Sequence, residues 1–344
     1  MHVERYRERE TRCCTRVVVW EKKTRERARY QTISCMALLD ALAAMEAQTG
    51  VSEMPPLESS HVDRIRQAVE VAGGLPIERD RRKEILGVNE ADLAKVILPL
   101  CTWIKGITQG PTGEGERVLV GLCGSAAAGK STLAQLICAA YGIIWGASSI
   151  QCVSMDAYSY PNAHLAAEMT EYLGRACTLK DIKGLPKTLD CASLLRDLGR
   201  LRTPSKESIK LPAYSRDLHD PVPDSVTVAH DCRVVLVEGL HLLHQEGLWK
   251  EISAALHRTV FLDISRSVCF DRVVGRKVAN GRSRDSSESH FDRVDGPVWD
   301  QLQEEKKRAD FVLVVQPTSD RQLFVSNIVT KLTRGEPQPV PQEL

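Results

Sequence analysis

No stretch of this sequence approaches the ~18 consecutive apolar residues that a membrane-crossing helix needs, so no membrane partner is expected. Charge of one sign is lacking as well. With 46 basic residues against 45 acidic ones, the balance gives no reason to expect nucleic acid or a lipid surface, and phosphorylated small molecules suit such a chain at least as well. The 11 cysteines include no C-x-x-C pair, and Cys123, Cys138 and Cys152 lie in apolar runs; they read as reduced thiols, and the expected location is cytoplasmic. Missing motifs exclude further classes. There is no H-R-D or D-F-G set, as a protein kinase would carry, no Asn-Lys-x-Asp of a GTPase and no LSGGQ-like run of a transporter ATPase. Asp181-Ile-Lys-Gly184 has the D-x-x-G form without an apolar strand before it. No internal repeat or sustained heptad is present.

What is present is organised around Gly124-Ser125-Ala126-Ala127-Ala128-Gly129-Lys130-Ser131-Thr132, between the apolar run Val118 to Cys123 and a helix-patterned run, Leu133 to Tyr141. Strand, glycine loop and helix are the context of a phosphate-binding loop. Gly124 and Gly129 permit the tight wrap that aims backbone N–H groups at phosphate oxygens, and the helix N-terminus adds its positive end. Lys130 is expected to reach the β- and γ-phosphates of ATP, and Ser131 to offer its hydroxyl to Mg²⁺. The following helix is expected to end at Gly142.

Ahead of this loop the chain is less informative. Residues 1 to about 33 are rich in Arg and Lys but also carry Glu4, Glu8, Glu10, Glu21 and Glu26, unlike a transit peptide, and read as a solvated tail. Met36 to Ala47 has helical composition, broken by Pro55-Pro56. Ser60 with Asp63 resembles a capping box, and Val62, Ile65, Ala68 and Val69 follow at helical spacing until Gly73-Gly74. A second helix is expected from Asn89, with Leu93, Val96, Ile97 and Leu100 on one face and Pro99 as its kink or early end. Gly106 to Glu116 reads as a connector.

Beyond the loop, Ile150 to Asp156 is a strand-type run ending in an acid. Ligands of a doubly wound parallel sheet gather at the carboxyl ends of its strands, so Asp156 is a candidate base for an acceptor alcohol, or else the cap of the next turn. A Mg²⁺ bridging phosphate oxygens also needs a carboxylate, and two apolar strands supply one at their ends, Glu238 and Asp263. Spacing does not choose between them. His241 and His244 follow Glu238 at a spacing that suggests a metal pair, but the sequence shows no third ligand or acidic partner beside them. Arg272 and Arg276 lie four apart, hence on one face of a basic helix that breaks at Asn280-Gly281 before Arg282.

Several of these segments together resemble the phosphoribulokinase/uridine kinase superfamily. Met155-Asp156-Ala157-Tyr158-Ser159-Tyr160-Pro161-Asn162 is similar to its "MDGFH…N" segment, and Gly184 to Asp190 to its Pro-x-x-Phe-Asp motif. Leu211-Pro-Ala-Tyr214-Ser-Arg216-Asp-Leu-His219-Asp is similar to its Pro-x-Tyr-x-x-x-x-His motif, and Val235 to Gly239 to its Walker-B-like strand. The resemblance implies Asp156 as catalytic base, Asp190, Tyr214, Arg216 and His219 around the acceptor, Glu238 beside Ser131 at the metal, and Arg272 and Arg276 on a lid that closes over the transferring phosphoryl group. Ala157 and Ser159, and Leu189 in place of the common aromatic, depart from the family at the acceptor side.

The expected fold is accordingly α/β: a doubly wound, mainly parallel sheet of the P-loop NTPase type with helices on both faces, plus an N-terminal helical appendage. The expected layout is a loose tail and short helix over 1–56, the appendage and linker over 57–116, the kinase domain over 117–334 with a lid around 266–296, and a loose end over 335–344. The expected activity is transfer of the γ-phosphate of ATP to an alcohol of a sugar, nucleoside or similar metabolite, with a homodimer compatible. A regulatory NTPase or a catalytically degenerate scaffold is the alternative.

Overall fold

A computed structural model describes residues 59–79, 82–88, 92–110 and 116–315. The basic tail, the helix expected over 36–47 and the closing tail lie outside the described residues.

Helix α1 (Ser59–Ala72) stops at Gly73 and Gly74, whose φ angles of 75° and 158° no continuing helix accepts. An antiparallel hairpin that the sequence reading did not include follows, β1 (Leu75–Arg79) and β2 (Arg82–Leu86). The second helix does not end at Pro99. A π-helical turn over Leu93–Ile97 runs into α2 (Leu98–Ile107), so the proline stands in the first turn of the α-helix, where its missing N–H costs least.

From Val118 the chain alternates strand and crossover. In order come β3 (Val118–Gly124), α3 (Lys130–Trp145), β4 (Ile150–Ser154), a 3₁₀ turn (Met155–Tyr158), α4 (Asn162–Ala167) and the hairpin β5 (Met169–Tyr172) and β6 (Arg175–Thr178). Then come α5 (Cys191–Arg202), the hairpin β7 (Ile209–Ser215) and β8 (Asp220–Val228), β9 (Val234–Gly239), α6 (Trp249–Ala255) and β10 (Arg258–Asp263). Helices α7 (Arg266–Ala279), α8 (Arg284–His290) and α9 (Gly296–Glu305) precede β11 (Phe311–Val314). Helix α3 runs past Gly142 and ends at Gly146, which has φ 106° and so suits the terminal position.

Among the described residues the central sheet has five parallel strands in the order β11-β10-β3-β9-β4. The chain leaves β3 for the far edge at β4, returns to β9, and crosses β3 to β10, so the direction of winding reverses beside β3. The open crevice of such a sheet lies at the carboxyl ends flanking that reversal.

Both faces of the sheet are covered, which is why its strands read as unbroken apolar runs rather than alternating ones. Val118, Val120 and Leu122 of β3, with Val234 and Leu236 of β9, face one core alongside α1, α2, α3 and α7. Leu119 and Cys123, with Val235 and Val237, face a second core that holds α5, α6 and α9. The N-terminal segment is therefore part of the body: Ile65, Leu75, Trp103 and Ile104 are fully buried in the first core, and Trp103 stacks obliquely on Phe311 at 6.4 Å. Each such side chain contributes roughly 1.5–3 kcal/mol of burial. Arg64 of α1 adds a polar tie, donating to the carbonyls of Ile143 and Ile144 at 2.5 and 3.1 Å at the carboxyl end of α3.

Candidate functional site

The loop after β3 takes backbone conformations that few residues tolerate. Gly124 has φ 143°, and a Cβ there would stand 2.6 Å from the Leu262 carbonyl oxygen on the neighbouring strand; Ala127 and Gly129 have φ 57° and 100°. This wrap sets Ala126, Ala127, Gly129, Lys130, Ser131 and Thr132 around a cavity of about 500 Å³, while Ser125 and Ala128 turn into the interior. The Lys130 Nζ folds back over the loop and donates to the carbonyls of Gly124 and Ser125 at 3.0 and 2.9 Å. Desolvation pushes the Lys130 ammonium pKa down, and Glu238 and Asp156 pull it back up.

Strand order brings the next groups together. Because β9 pairs with both β3 and β4, Glu238 at its end stands beside the loop, and the Ser131 hydroxyl donates to Glu238 Oε2 at 2.6 Å. Burial raises the Glu238 pKa, the Ser131 bond lowers it and Asp156 raises it further. Asp263, the other strand-end acid, is elsewhere engaged: Lys306 pairs with it at 2.8 Å. Asp156 lies one turn beyond β4 in the 3₁₀ segment, with its N–H donated to Ser154 Oγ at 3.3 Å.

A second cavity, of about 670 Å³, adjoins the first, and Ser131, Gln135, Ser154, Asp156, Arg216 and Glu238 line both. Its outer wall is the β7–β8 hairpin with Tyr214 and Arg216, and its inner wall includes Gln151 of β4. Charged groups for phosphate thus meet a separate chamber at Asp156.

The remaining expected residues divide. Arg276 lines the smaller cavity together with Asn280, whereas Arg272 donates to the Ala127 carbonyl at 3.2 Å and so braces the loop from outside; Arg282 is exposed. Asp190 caps α5, accepting from the N–H and hydroxyl of Ser193 at 3.0 and 2.7 Å, and is not among the residues lining the larger cavity. His219 enters through its backbone. Its φ of 53° turns the carbonyl inward, where it accepts from Tyr214 Oη at 2.8 Å, Asn162 Nδ2 at 2.9 Å and Lys183 Nζ at 3.0 Å, while its own residue is exposed.

Lys183 was not anticipated from the sequence. Its ammonium also donates to Asn162 Oδ1 at 2.9 Å and lies over the Tyr214 ring at 5.2 Å, tying three separate segments at the edge of the acceptor chamber. Desolvation lowers its pKa, while Asp220 and Asp156 raise it. The local signal, a lysine before Gly-Leu-Pro, says nothing of these partners.

The histidine pair does not make a metal centre: no group of three or more metal-type ligands occurs among the described residues. His241 is fully buried with Nε2 at 2.7 Å from the Gly184 carbonyl, and burial pushes its pKa down to about 4. His244 does have the acidic partner that the local sequence lacks, Glu305, whose Oε1 is 2.7 Å from Nδ1.

Residues 119–322 match the Phosphoribulokinase / Uridine kinase family. The chain belongs to this family. Within the phosphoribulokinase/uridine kinase family, it is 30% identical over 205 residues to a uridine kinase of Shewanella frigidimarina, covering 59% of this chain and 90% of that one. It is 29% identical over 213 residues to the uncharacterized protein YggC of Escherichia coli, covering 60% and 80%. A solved structure from Silicibacter sp. TM1040 shares the fold with a TM-score of 0.53 at 24% identity, covering 62% of this chain and 98% of that one. As a member of the phosphoribulokinase/uridine kinase family, the chain is a P-loop small-molecule kinase that uses ATP.

Proposed function

We propose that this kinase transfers the γ-phosphate of ATP to an alcohol of a hydroxyl-rich metabolite of the sugar class, seated in the larger cavity with its reacting hydroxyl at Asp156. The observation that carries the reading is the junction of the two cavities at Asp156, Ser131 and Glu238. A group at that junction is in reach of both a bound triphosphate and an acceptor, as in-line transfer demands.

The acceptor class follows from the lining. Gln135, Gln151, Ser154, Ser225 and Thr227 offer hydrogen bonds suited to several hydroxyls. Among the described lining residues Tyr214 is the one aromatic ring, and its face is already taken by Lys183. A nucleoside base would need an aromatic platform to stack on, so the polyol is favoured.

The donors also fit magnesium. Ser131 Oγ and Glu238 Oε2 are hard oxygens 2.6 Å apart, and few protein ligands suffice for an ion that keeps water and phosphate oxygens in its shell. When bound, Mg²⁺ would neutralise charge on the β- and γ-phosphate oxygens. Lys130, held over the loop, is placed to exchange its two carbonyl partners for phosphate oxygens. Asp156 would accept the proton of the attacking hydroxyl. Arg276, on the helix that closes one side of the smaller cavity, would offset charge that spreads on the transferring group. Arg272 has a different task, keeping Ala127 in its left-handed turn.

The test is ATP consumption and product mass over a panel of sugars, sugar alcohols, nucleosides and vitamin alcohols, with wild type, Lys130→Ala and Asp156→Asn. Turnover confined to the polyols and lost in both variants supports the reading. Turnover with nucleosides alone refutes the acceptor class, ATP hydrolysis indifferent to any acceptor refutes transfer, and near wild-type rates for Asp156→Asn refute the base.

A further inference from the structure

The histidine motif after Glu238 opens onto a cavity that phosphoryl transfer does not use. This cavity, of about 580 Å³, shares no lining residue with the other two among the described residues and lies between the Leu185–Lys187 segment, the His244–Glu246 turn and α9. Leu185, Pro186, Pro297 and Val298 form an apolar wall; Glu305 belongs to the polar side.

Glu305 is the anomaly. It is 4% exposed, and its Oε1 is crowded, with His244 Nδ1 and Gln301 Nε2 each at 2.7 Å. Its Oε2 is buried without a hydrogen-bond partner among the described residues. Among the described residues no lysine or arginine lies within ion-pair distance of Glu305. Two cations line the cavity: Lys187 points instead at Thr170 Oγ1 and the Glu171 carbonyl, at 2.9 and 3.1 Å, and Arg308 is exposed and makes no ion pair with Glu305. A desolvated carboxylate oxygen with neither a donor nor a cation is costly to maintain, and the group that relieves it is a cation with N–H donors.

We propose that this cavity is a second ligand site, which receives the protonated amine of a small molecule at Glu305 while the ligand's apolar body lies against Pro186, Pro297 and Val298. The site also has a route to the acceptor chamber. The His244 ring meets His241 edge-on at 6.3 Å, and His241 Nε2 holds the Gly184 carbonyl at 2.7 Å. Gly184 joins Leu185–Lys187, on the amine side, to Lys183, which fastens Tyr214 and the His219 carbonyl on the acceptor side. A ligand that shifts one end of this short segment shifts the other, so its effect falls on acceptor binding rather than on ATP.

The experiment titrates the full chain with phenethylamine by calorimetry, against 2-phenylethanol as a neutral compound of the same shape. Saturable binding of the amine is expected, at least about tenfold tighter than the alcohol and about tenfold weaker to Glu305→Gln. Equal affinity for amine and alcohol, equal affinity of wild type and Glu305→Gln, or no binding at millimolar amine overturns the proposal. An unchanged ATP titration shows that Glu305→Gln is folded. Gln245→Lys, on the half-buried rim, supplies a cation from the chain itself and is expected to abolish amine binding without touching the core; retained binding there counts against the site. In the kinetic arm, saturating amine should move the acceptor KM by about threefold or more at constant ATP KM, and an unmoved acceptor KM refutes the coupling. Only this arm rests on the kinase reaction proposed above, so failure of binding and failure of that reaction are told apart.

Discussion

Gly239 follows Glu238, and its lack of a side chain decides where Asp156, the base of the proposed reaction, stands. A Cβ at this position would lie 2.8 Å from both Cβ and Sδ of Met155 and 3.1 Å from Leu242. Sδ can swing away, but Cβ is fixed to the backbone of the 3₁₀ turn that carries Asp156, and Met155 is 1% exposed with no free space to enter. Gly239→Ala therefore forces the turn outward by a good part of an ångström. Overpacking of one methyl costs about 1–3 kcal/mol of stability. A displacement near 1 Å at a reacting group costs about 10²-fold in rate. The assay pairs steady-state turnover, with the acceptor identified in the panel, with ATP titration and urea unfolding. The expected result is kcat down about 100-fold and ATP affinity within about threefold of wild type, since the phosphate loop is not touched. A variant that keeps kcat within about threefold while unfolding at the wild-type urea midpoint would show that Met155 does not set the position of Asp156.

Four further outcomes follow from the same geometry. Gly124→Ala drives a Cβ into the Leu262 carbonyl at 2.6 Å in a left-handed backbone, so ATP affinity should fall at least about tenfold by calorimetry. Arg64→Ala removes two donors from the end of α3 at an exposed position and should lower the urea midpoint by the equivalent of about 1 kcal/mol, with the slope unchanged. Lys183→Met, which keeps the length of the side chain but loses its two hydrogen bonds and its charge, should raise the acceptor KM about tenfold and leave the ATP KM alone, measured by initial rates. His241 is held near pKa 4 against an ordinary 6.5, so the unfolded chain takes its proton first. Its contribution is complete above about pH 6.5 and lost as pH falls towards 4, up to about 3 kcal/mol in urea unfolding, and His241→Gln should flatten that part of the profile.

Much of the site was legible because its chemistry is local. The run from Gly124 to Thr132 states its own turn, helix start and charge, and a strand ending in an acid is visible without knowing its neighbours. The departures came where local signals were ambiguous or silent. Gly142 looked like a helix end, but it tolerates the helix interior, and Gly146 alone has the positive φ. Pro99 reads as a kink or an early end, and the helical run continues through it to Ile107 with a π turn over Leu93–Ile97 directly ahead. Arg272 and Arg276 share a helix face, yet one braces the phosphate loop and the other lines the cavity, a difference set by the height of each along that helix relative to a loop some 145 residues earlier in the chain.

By itself the order of residues determined the strand, loop and helix of the phosphate site and the presence of acids at or just beyond the ends of three strands, because periodicity and turn chemistry act over a few residues. Only the folded sheet decided which acid meets Ser131: with β9 between β3 and β4, Glu238 is brought alongside the loop, while Asp263 on β10 is claimed by Lys306. The partners of Lys183 and of His244 were settled in the same way, by packing among segments 36 and 61 residues apart. Strand order and side-chain contact depend on the whole chain closing on itself, and that information has no local spelling.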